Sequence, residues 1–312
     1  MAHQAGRAGA LLALAVLIAP LIGATRVEPK ARVVAIRTAR AEPYQVALDA
    51  LRKELGDSVE LRVEDVDRND PSAGARIEAL RAKVLVPLGT QATIWARDHT
   101  RDIPILFAMV LNPVSGGLID SMGSPGGRIS GASLDVSPRD QFEILKTLLG
   151  ARRIGVLYNP DETGVVVRDA ANAARLAGVE LHPIEVHDPR ELDRALERLH
   201  HLDALWSVAD RTVLSPSAVE RILLYTLDRQ LPFMGLSIRY VRAGALLAVQ
   251  PRYDENGRQA AALVRRVLAG ASVASLPISV PRDTRVVYNP RTAKRISVVL
   301  RSLPGYPLES VQ

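Results

Sequence analysis

The sequence has no cysteine among its 312 residues. This excludes a disulfide framework, a thiol nucleophile, a cysteine-based zinc site and a lipid-modified cysteine. Aromatic residues make up only 4% of the chain, so its cores must be built from Ala, Val, Leu and Ile. These scarcities fit a globular protein on either side of a bacterial inner membrane.

Motifs that carry catalysis or nucleotide binding are also missing. The turn after the first β-branched run, ARAEPYQ, has no glycine, so the GxGxxG fingerprint of dinucleotide binding is absent there. The sequence contains neither a P-loop nor a GxSxG nucleophile elbow. None of the six histidines has a partner at an HxH or HxxxH spacing. We therefore expect no catalytic residue, no cofactor and no metal, with an α/β enzyme of unrecognised site as a remaining alternative.

The charges do not indicate a nucleic-acid-binding surface. The chain carries a net charge of +6, but basic pairs such as Arg152-Arg153 and Arg265-Arg266 are short and have acidic residues nearby. A solvated surface with mixed charges explains this pattern better than a nucleic-acid partner does.

One apolar run near the N-terminus differs from everything that follows it. Arg7 precedes AGALLALAVLIAPLIGA, with Ala24 at position −1 and Ile22 at position −3 of a cleavage site. This arrangement is typical of a secretory signal peptide over residues 1–24. An uncleaved anchor helix is the alternative, although about 15 apolar residues is short for a membrane span. We expect an exported mature protein.

From Arg32 onward, short β-branched runs alternate with segments of helical period, such as ELDRALERL and GRQAAALVRRVLAG. This alternation predicts parallel sheets covered by helices, and eleven strands are more natural in two sheets than in one. The candidate strands begin near residues 32, 59, 83, 104, 128, 153, 179, 203, 231, 245 and 284.

A polar residue precedes proline after several of these strands, as in Asn112-Pro113, Asn159-Pro160 and Ser215-Pro216. Such pairs favour a helix start, because the polar side chain can cap the helix and proline suits its first turn. In a parallel sheet these turns lie at the carboxyl edge, where ligands bind. Two such edges that face each other would form a polar cleft.

The glycine-rich stretch NPVSGGLIDSMGSPGGRISG begins at Asn112. We expect a short helix over VSGGLIDSM, followed by turn glycines. A phosphate-binding loop needs its glycines ahead of the helix start. The glycines here come later, so they indicate packing and turns, and Asn112 is the candidate functional residue.

Several segments resemble one known family, and the similarity covers about residues 30–300. The chain resembles the ABC-transporter substrate-binding proteins whose better-known members bind tryptophan or related aromatic amino acids. The segments that carry the resemblance are IPILFAMVLNPVSGGLIDSMGSPGGRISGASLDVSPRDQFEILKTLL, RRIGVLYNPDETG and LPFMGLSIRYVRAGALLAVQPRYDENGRQAAALVRRVLAG.

The resemblance implies a type I periplasmic-binding fold, in which two doubly wound α/β domains, joined by three crossover strands, close like a trap. The crossovers would lie near residues 134–137, 250–253 and 279–285. The implied domains are 30–134 with 251–278 and 135–250 with 279–302, followed by a tail at 303–312.

Members of this family bind a ligand without chemistry and deliver it to a membrane permease. The resemblance thus implies a periplasmic monomer whose partners are a small-molecule ligand and an ABC transporter permease. A ligand-sensing module that regulates a membrane partner is the alternative, and an uncleaved anchor would favour it.

The resemblance also implies a pocket lined by loops at the carboxyl ends of the strands. For Thr90, Asn112 and Asp210, helix capping is an equally good interpretation. We expect Asn112→Ala and Asp210→Ala to abolish binding and to leave the apo melting temperature nearly unchanged. The positions indicated are Tyr44, Thr90, Gln91, Asn112, Asn159, Thr163, Asp210, Ser237, Gln250 and Tyr253.

Asn112 departs from the family pattern, which commonly has Asp before this proline. Asparagine cannot supply the charge that would pair with an α-ammonium group. Ala209 and Leu236 are apolar where amino-acid-binding relatives tend to be polar. Together with the few aromatic residues, these departures make a neutral or anionic ligand as plausible as an amino acid.

Overall fold

The computed structural model describes Met1 and residues 30–123, 125–302, 305 and 307–311. The predicted signal peptide, apart from Met1, lies outside these residues. Within the described part of the chain, no helix combines the length and hydrophobicity that a membrane crossing needs.

The first half of the chain forms a parallel sheet in which β3, β4 and β5 are buried along their whole length. Burial on both faces is typical of parallel strands covered by helices. The strands are β1 (Ala31–Arg37), β2 (Val59–Asp65), β3 (Val84–Pro87), β4 (Ile105–Val110) and β5 (Ile129–Ser133), in the order β2-β1-β3-β4-β5. The helices between them are α1 (Glu42–Leu55), α2 (Ala73–Ala79) and α3 (Thr90–His99).

A second sheet follows, with its strands in the order β12-β11-β10-β9-β8-β6-β7. Its strands are β6 (Arg153–Tyr158), β7 (Glu180–Glu185), β8 (Ala204–Trp206), β9 (Phe233–Gly235), β10 (Leu247–Pro251), β11 (Thr284–Tyr288) and β12 (Leu308–Ser310). The helices are α4 (Pro138–Leu149), α5 (Pro160–Ala177), α6 (Leu192–Leu196), α7 (Pro216–Asp228), α8 (Ile238–Ala243), α9 (Tyr253–Leu268) and α10 (Pro290–Arg295).

All eleven predicted strands are confirmed, and the two-sheet α/β architecture with them. Proline opens α4, α5, α7 and α10 directly after a polar residue, as the sequence indicated.

Two features of the second sheet differ from the prediction. β11 runs antiparallel to β10, because no crossover helix of the second sheet separates the two strands. β12 was not predicted, because its three residues are exposed and carry no apolar pattern.

The chain passes from one sheet to the other after β5, after β10 and before β11, counting the described residues alone. Helix α9 follows β10 in sequence but packs against α1, β4 and β5 of the first sheet. The backbone of Ser279 then pairs with β5, since its carbonyl accepts the Ser133 N–H at 2.8 Å and its own N–H donates to Gly131 O at 3.0 Å. Several short passages explain why no flexible linker is visible in the sequence. The exact domain boundaries stay a prediction.

Each sheet is covered on both faces by amphipathic helices, so each domain has its own pair of apolar cores. Helices α1 and α9 cover one face of the first sheet, and α2 and α3 cover the other. Helices α4 and α5 cover one face of the second sheet, and α6 and α7 cover the other. Burial of this aliphatic surface is the main force that holds each domain together.

Gly257 sets how closely α9 approaches α1. A Cβ atom at this position would collide with the backbone oxygen of Ala47 and would lie 3.0 Å from the Ala50 side chain. The collision involves backbone, so it cannot be relieved by a change of rotamer. Glycine here lets the two helices pack at short distance, which fixes α9 on the first domain.

We expect Gly257→Ala to lower the free energy of unfolding by about 1–3 kcal/mol, because the helices must move apart. Gly123→Ala is the control, since an added Cβ there meets nothing within 4 Å. It should change stability by no more than about 0.5 kcal/mol. Urea denaturation of the three proteins measures both effects, and equal stability of the two variants would contradict the packing argument.

Candidate functional site

A cavity of about 780 Å³ lies between the two domains and is lined by both of them. Its volume is in the range of pockets that enclose small organic ligands. The first domain contributes the loop after β4. The second contributes α5 and the loops after β8 and β9, and the crossover segments complete the lining. The lining residues are 111–115, 120–122, 134–138, 140–141, 165–166, 169, 206–209, 235–237, 240, 249, 251, 253 and 280–281.

Three aromatic side chains contribute to the wall of this cleft, in a chain with only two tryptophans, three phenylalanines and seven tyrosines. Trp206 donates its indole N–H to Gln141 Oε1 at 2.8 Å and meets the Phe142 ring edge-on, with the ring centroids 4.9 Å apart. These contacts fix the orientation of the indole. Tyr240 and Tyr253 are partly buried, and burial raises the pKa of each phenol. The few aromatic residues of the chain are thus well represented at the cleft.

The end of β4 has an irregular backbone that turns the chain into the cleft. Met109 and Asn112 have φ angles of 62° and 49°, and the register with β5 shifts between Phe107 and Val110. Asn256 of α9 supports this turn with a buried side-chain amide. Its Oδ1 accepts the Met109 N–H at 2.8 Å, and its Nδ2 donates to the carbonyls of Ala132 and Ser133 at 3.2 and 2.9 Å.

The same backbone turn meets a carboxylate that the sequence reasoning missed. Both carboxylate oxygens of Asp135, in the first crossover, accept the Asn112 N–H, at 2.9 and 3.1 Å. Burial raises the pKa of Asp135, and the hydrogen bonds with Asn112 and Ser133 oppose that shift. The side chain keeps partial exposure on the cleft side. A carboxylate therefore lies beside Asn112, although the position before Pro113 itself lacks one.

The charges of the lining all have one sign. Among the described residues that line the cleft there is no lysine, arginine or histidine. The lining does contain four carboxylates: Asp120, Asp135, Asp140 and Asp169. A cleft of negative charge thus lies in a chain whose net charge is +6.

Of the ten predicted ligand-binding positions, the structure brings Asn112, Ser237 and Tyr253 together at the cleft. The Nδ2 atom of Asn112 comes within 3.5 Å of Ala209 O, a backbone atom of the other domain. Asn112 does not cap a helix, and the expected helix over VSGGLIDSM is wrong, because the residues after Pro113 form turns. The left-handed conformation of Asn112 directs the chain away from helical geometry, and asparagine tolerates that conformation well.

Tyr44 lies in the first turn of α1, and Thr90 and Gln91 begin α3, so all three follow strands of the first domain but lie outside the lining of the cavity. The Tyr44 phenol packs over Gly89, where any side chain would collide with it, and burial raises its pKa. Gln91 Oε1 accepts a hydrogen bond from Arg68 at 2.8 Å. Because these three residues are outside the lining, the cavity gives no support for their contact with a ligand.

The contacts of Asp210 favour the structural interpretation of this residue over the ligand-binding one, which stays a prediction. It is only 2% exposed, and one oxygen accepts the Asn159 N–H and the Thr163 hydroxyl, both at 2.7 Å. The other accepts the N–H groups of Thr212 and Val213 at 2.9 and 3.2 Å. Asp210, Asn159 and Thr163 thus tie the start of α5 to the loop after β8, and none of them lines the cavity.

Gln250 is likewise buried beside the cleft rather than in its lining. Its Oε1 accepts the Ile238 N–H at 3.2 Å at the start of α8. The side chain therefore connects the second crossover with the start of α8, which directly follows Ser237 and contains Tyr240. This contact gives Gln250 an indirect part in shaping the cleft.

Two α/β domains, chain passages between them and a cavity lined by both define a solute-binding protein with the type I periplasmic-binding fold. Residues 44–302 match the family described as ABC transporter substrate binding protein. The chain belongs to this family, whose members bind solutes and do not catalyse reactions.

A curated relative is the tyrosine-binding protein of Clostridioides difficile strain R20291. It is 26% identical over 250 residues, which cover 78% of this chain and 72% of that protein. The likeness extends over most of both chains, so it concerns both domains.

Two solved structures have the same fold. One is a ligand-free, open substrate-binding protein with adhesive properties from Clostridium difficile, with 21% identity, a TM-score of 0.72 and coverage of 90% of this chain and 99% of that one. The other is an ABC domain from Streptococcus pneumonia in complex with L-Trp, with 19% identity, a TM-score of 0.65 and coverage of 90% and 100%.

We expect Asp210→Ala to lower the free energy of unfolding by about 3 kcal/mol, since it leaves several buried donors without an acceptor. Asp169→Ala is the control, because Asp169 is an exposed aspartate of the same domain. That change should cost no more than about 0.5 kcal/mol. Chemical denaturation measures both, and a stable Asp210→Ala protein that no longer binds ligand would restore the sequence-based role.

Proposed function

We propose that this protein is an extracytoplasmic solute-binding protein that binds a small organic molecule between its domains and delivers it to an ABC transporter permease. The observation that carries this proposal is the cavity lined by both domains. A ligand that contacts both walls stabilises one relative arrangement of the domains over others. Such a protein has a ligand-bound form that a permease can recognise.

The rim of the cleft supports a change of domain arrangement on binding. Three apolar lining residues are largely in contact with solvent: Leu111 is 38% exposed, Val280 46% and Val165 48%. Leu111 lies in the loop after β4, whereas Val165 lies in α5 of the other domain. Closure over a ligand would remove such side chains from water, which contributes about 25 cal/mol for each Å² buried.

The chemistry of the lining supports a ligand with an apolar body and polar groups. Tyr240 and Tyr253 offer partly exposed aromatic surface beside the largely buried Trp206, and the Asp135 carboxylate lies on the same cavity. One relative binds tyrosine, and one structural neighbour was solved with L-Trp. These properties favour a small organic ligand with an apolar group over a sugar-like or inorganic one.

Residues 1–24, whose composition is that of a signal peptide, and the family to which the chain belongs support an extracytoplasmic location. In this proposal the mature, monomeric protein acts in the periplasm and its partner lies in the inner membrane. Intact-mass analysis of the exported protein tests the location. A mass that retains residues 1–24 would contradict release from the membrane.

A thermal-shift screen over amino acids, amines, carboxylates and sugars tests ligand binding. A ligand at about 100 times its dissociation constant should add about 2.7 kcal/mol of stability. Val165→Trp should reduce the shift, because the added rings fill the cleft. Leu176→Trp lies on the same helix, is 71% exposed and is not part of the lining, so it should leave the shift unchanged.

The absence of a shift with every compound would contradict the binding function. An undiminished thermal shift in Val165→Trp would instead indicate that the ligand binds outside the cleft. Uptake of the identified ligand by cells that lack this protein then tests delivery to the permease. Undiminished uptake would contradict delivery.

A further inference from the structure

We infer that the cleft selects organic cations, that is, amines with an apolar body and no carboxylate. This inference rests on the proposed function and names the class of ligand for the same cavity. It differs from the amino acids that appear with the relatives, because an amino acid brings a negative group as well as a positive one.

The charged side chains that the structure describes in the lining of the cleft are all acidic. Asp120, Asp135, Asp140 and Asp169 line the cavity, and the described lining residues include no lysine, arginine or histidine. A ligand carboxylate would therefore lose water without gaining a cationic partner, which is unfavourable. An ammonium group would find carboxylates and no competing cationic side chain among the described residues of this lining.

Asp135 is the strongest candidate among these carboxylates to face an ammonium group. Its two oxygens share the Asn112 N–H, which leaves acceptor capacity on both, since a carboxylate can accept about four hydrogen bonds. The surrounding protein removes part of its contact with water, and neither of its hydrogen-bond partners, Asn112 and Ser133, is charged. A ligand ammonium group can thus supply both the charge and the donors that the protein does not provide.

The aromatic residues favour the same class of ligand. Trp206, Tyr240 and Tyr253 line the cavity that contains these carboxylates. Aromatic faces pack against an apolar body and also attract cations, with indole the strongest. The lining therefore matches a compound that joins an apolar group to an ammonium group.

The helix start at the cleft argues against a bound carboxylate. Helix α4 begins at Pro138 after Ser137, and a helix N-terminus can receive an anion. However, Asp140 lies in the first turn of this helix and also lines the cavity. Its carboxylate repels a second negative group, so the place most suited to an anion already carries one.

Three matched series test the selectivity by isothermal titration of the purified protein. Each series keeps one apolar group and presents it as an amine, an α-amino acid and a carboxylate. The series are phenethylamine, phenylalanine and 3-phenylpropanoate; tryptamine, tryptophan and indole-3-propanoate; and isopentylamine, leucine and 4-methylpentanoate. In at least one series we expect the amine to bind about tenfold tighter than both companions.

Variants locate the charge that selects the amine. Asp135→Asn should weaken amine binding by about tenfold or more and should reduce the preference over the amino acid. Asp140→Asn is a second variant with the same expected direction, in case the first one does not fold. Asp57→Asn removes an equal charge from an exposed turn outside the lining, and it should leave binding within about twofold.

The possible results distinguish a failure of cation selectivity from a failure of the proposed function. If an amino acid or a carboxylate binds as tightly as its amine in every series, cation selectivity is overturned and solute binding stands. If none of the three amines binds but other compounds of the wider screen do, cation selectivity is likewise overturned and solute binding stands. If no small molecule binds at all, both proposals are overturned. Unchanged amine binding in Asp135→Asn and Asp140→Asn would overturn the role of the carboxylates.

Discussion

The buried side-chain amide of Asn256 holds together the parts of the chain on which the cleft depends. From α9 it accepts the N–H of Met109 in β4 and donates to the carbonyls of Ala132 and Ser133 at the end of β5. The first crossover begins directly after Ser133. Gly257, the next residue, lets α9 lie close enough to α1 to keep the amide in place. Two adjacent residues thus link the packing of the first domain to the position of Asn112 and Asp135.

The cleft shows how a chain can separate its surface charge from the charge of its binding site. Most ion pairs of the described residues are partly exposed pairs of arginine with aspartate or glutamate, which contribute little to stability individually. The cleft instead has carboxylates without a cationic residue in its lining. Burial makes the charged form of Asp135 less favourable, and a cationic ligand would offset that loss of solvation.

The sequence predicts the fold well, because β-branched runs and helical periods report burial directly. Eleven strands and the polar-proline helix starts were recognisable on that basis. The binding site was less predictable. Asp210 follows a buried strand, as a ligand-binding residue would, but the sequence cannot tell whether its acceptors meet a ligand or four protein donors. Asp135 was missed because its significance arises only from its contact with Asn112, 23 residues earlier. The missing helix after Pro113 reflects a left-handed backbone that no periodicity reveals.

Ligand binding between the two domains can be measured through the two tryptophans of the chain. Both tryptophans are largely buried, but Trp206 belongs to the lining of the cleft, whereas Trp95 lies in a core of the first domain outside that lining. The measurement is a fluorescence titration of Trp95→Phe and Trp206→Phe with the compound that most raises the melting temperature. If the ligand binds in the cleft, we expect a saturable change of emission in Trp95→Phe, which retains Trp206, and little change in Trp206→Phe. A saturable response from Trp95 with none from Trp206 would contradict it.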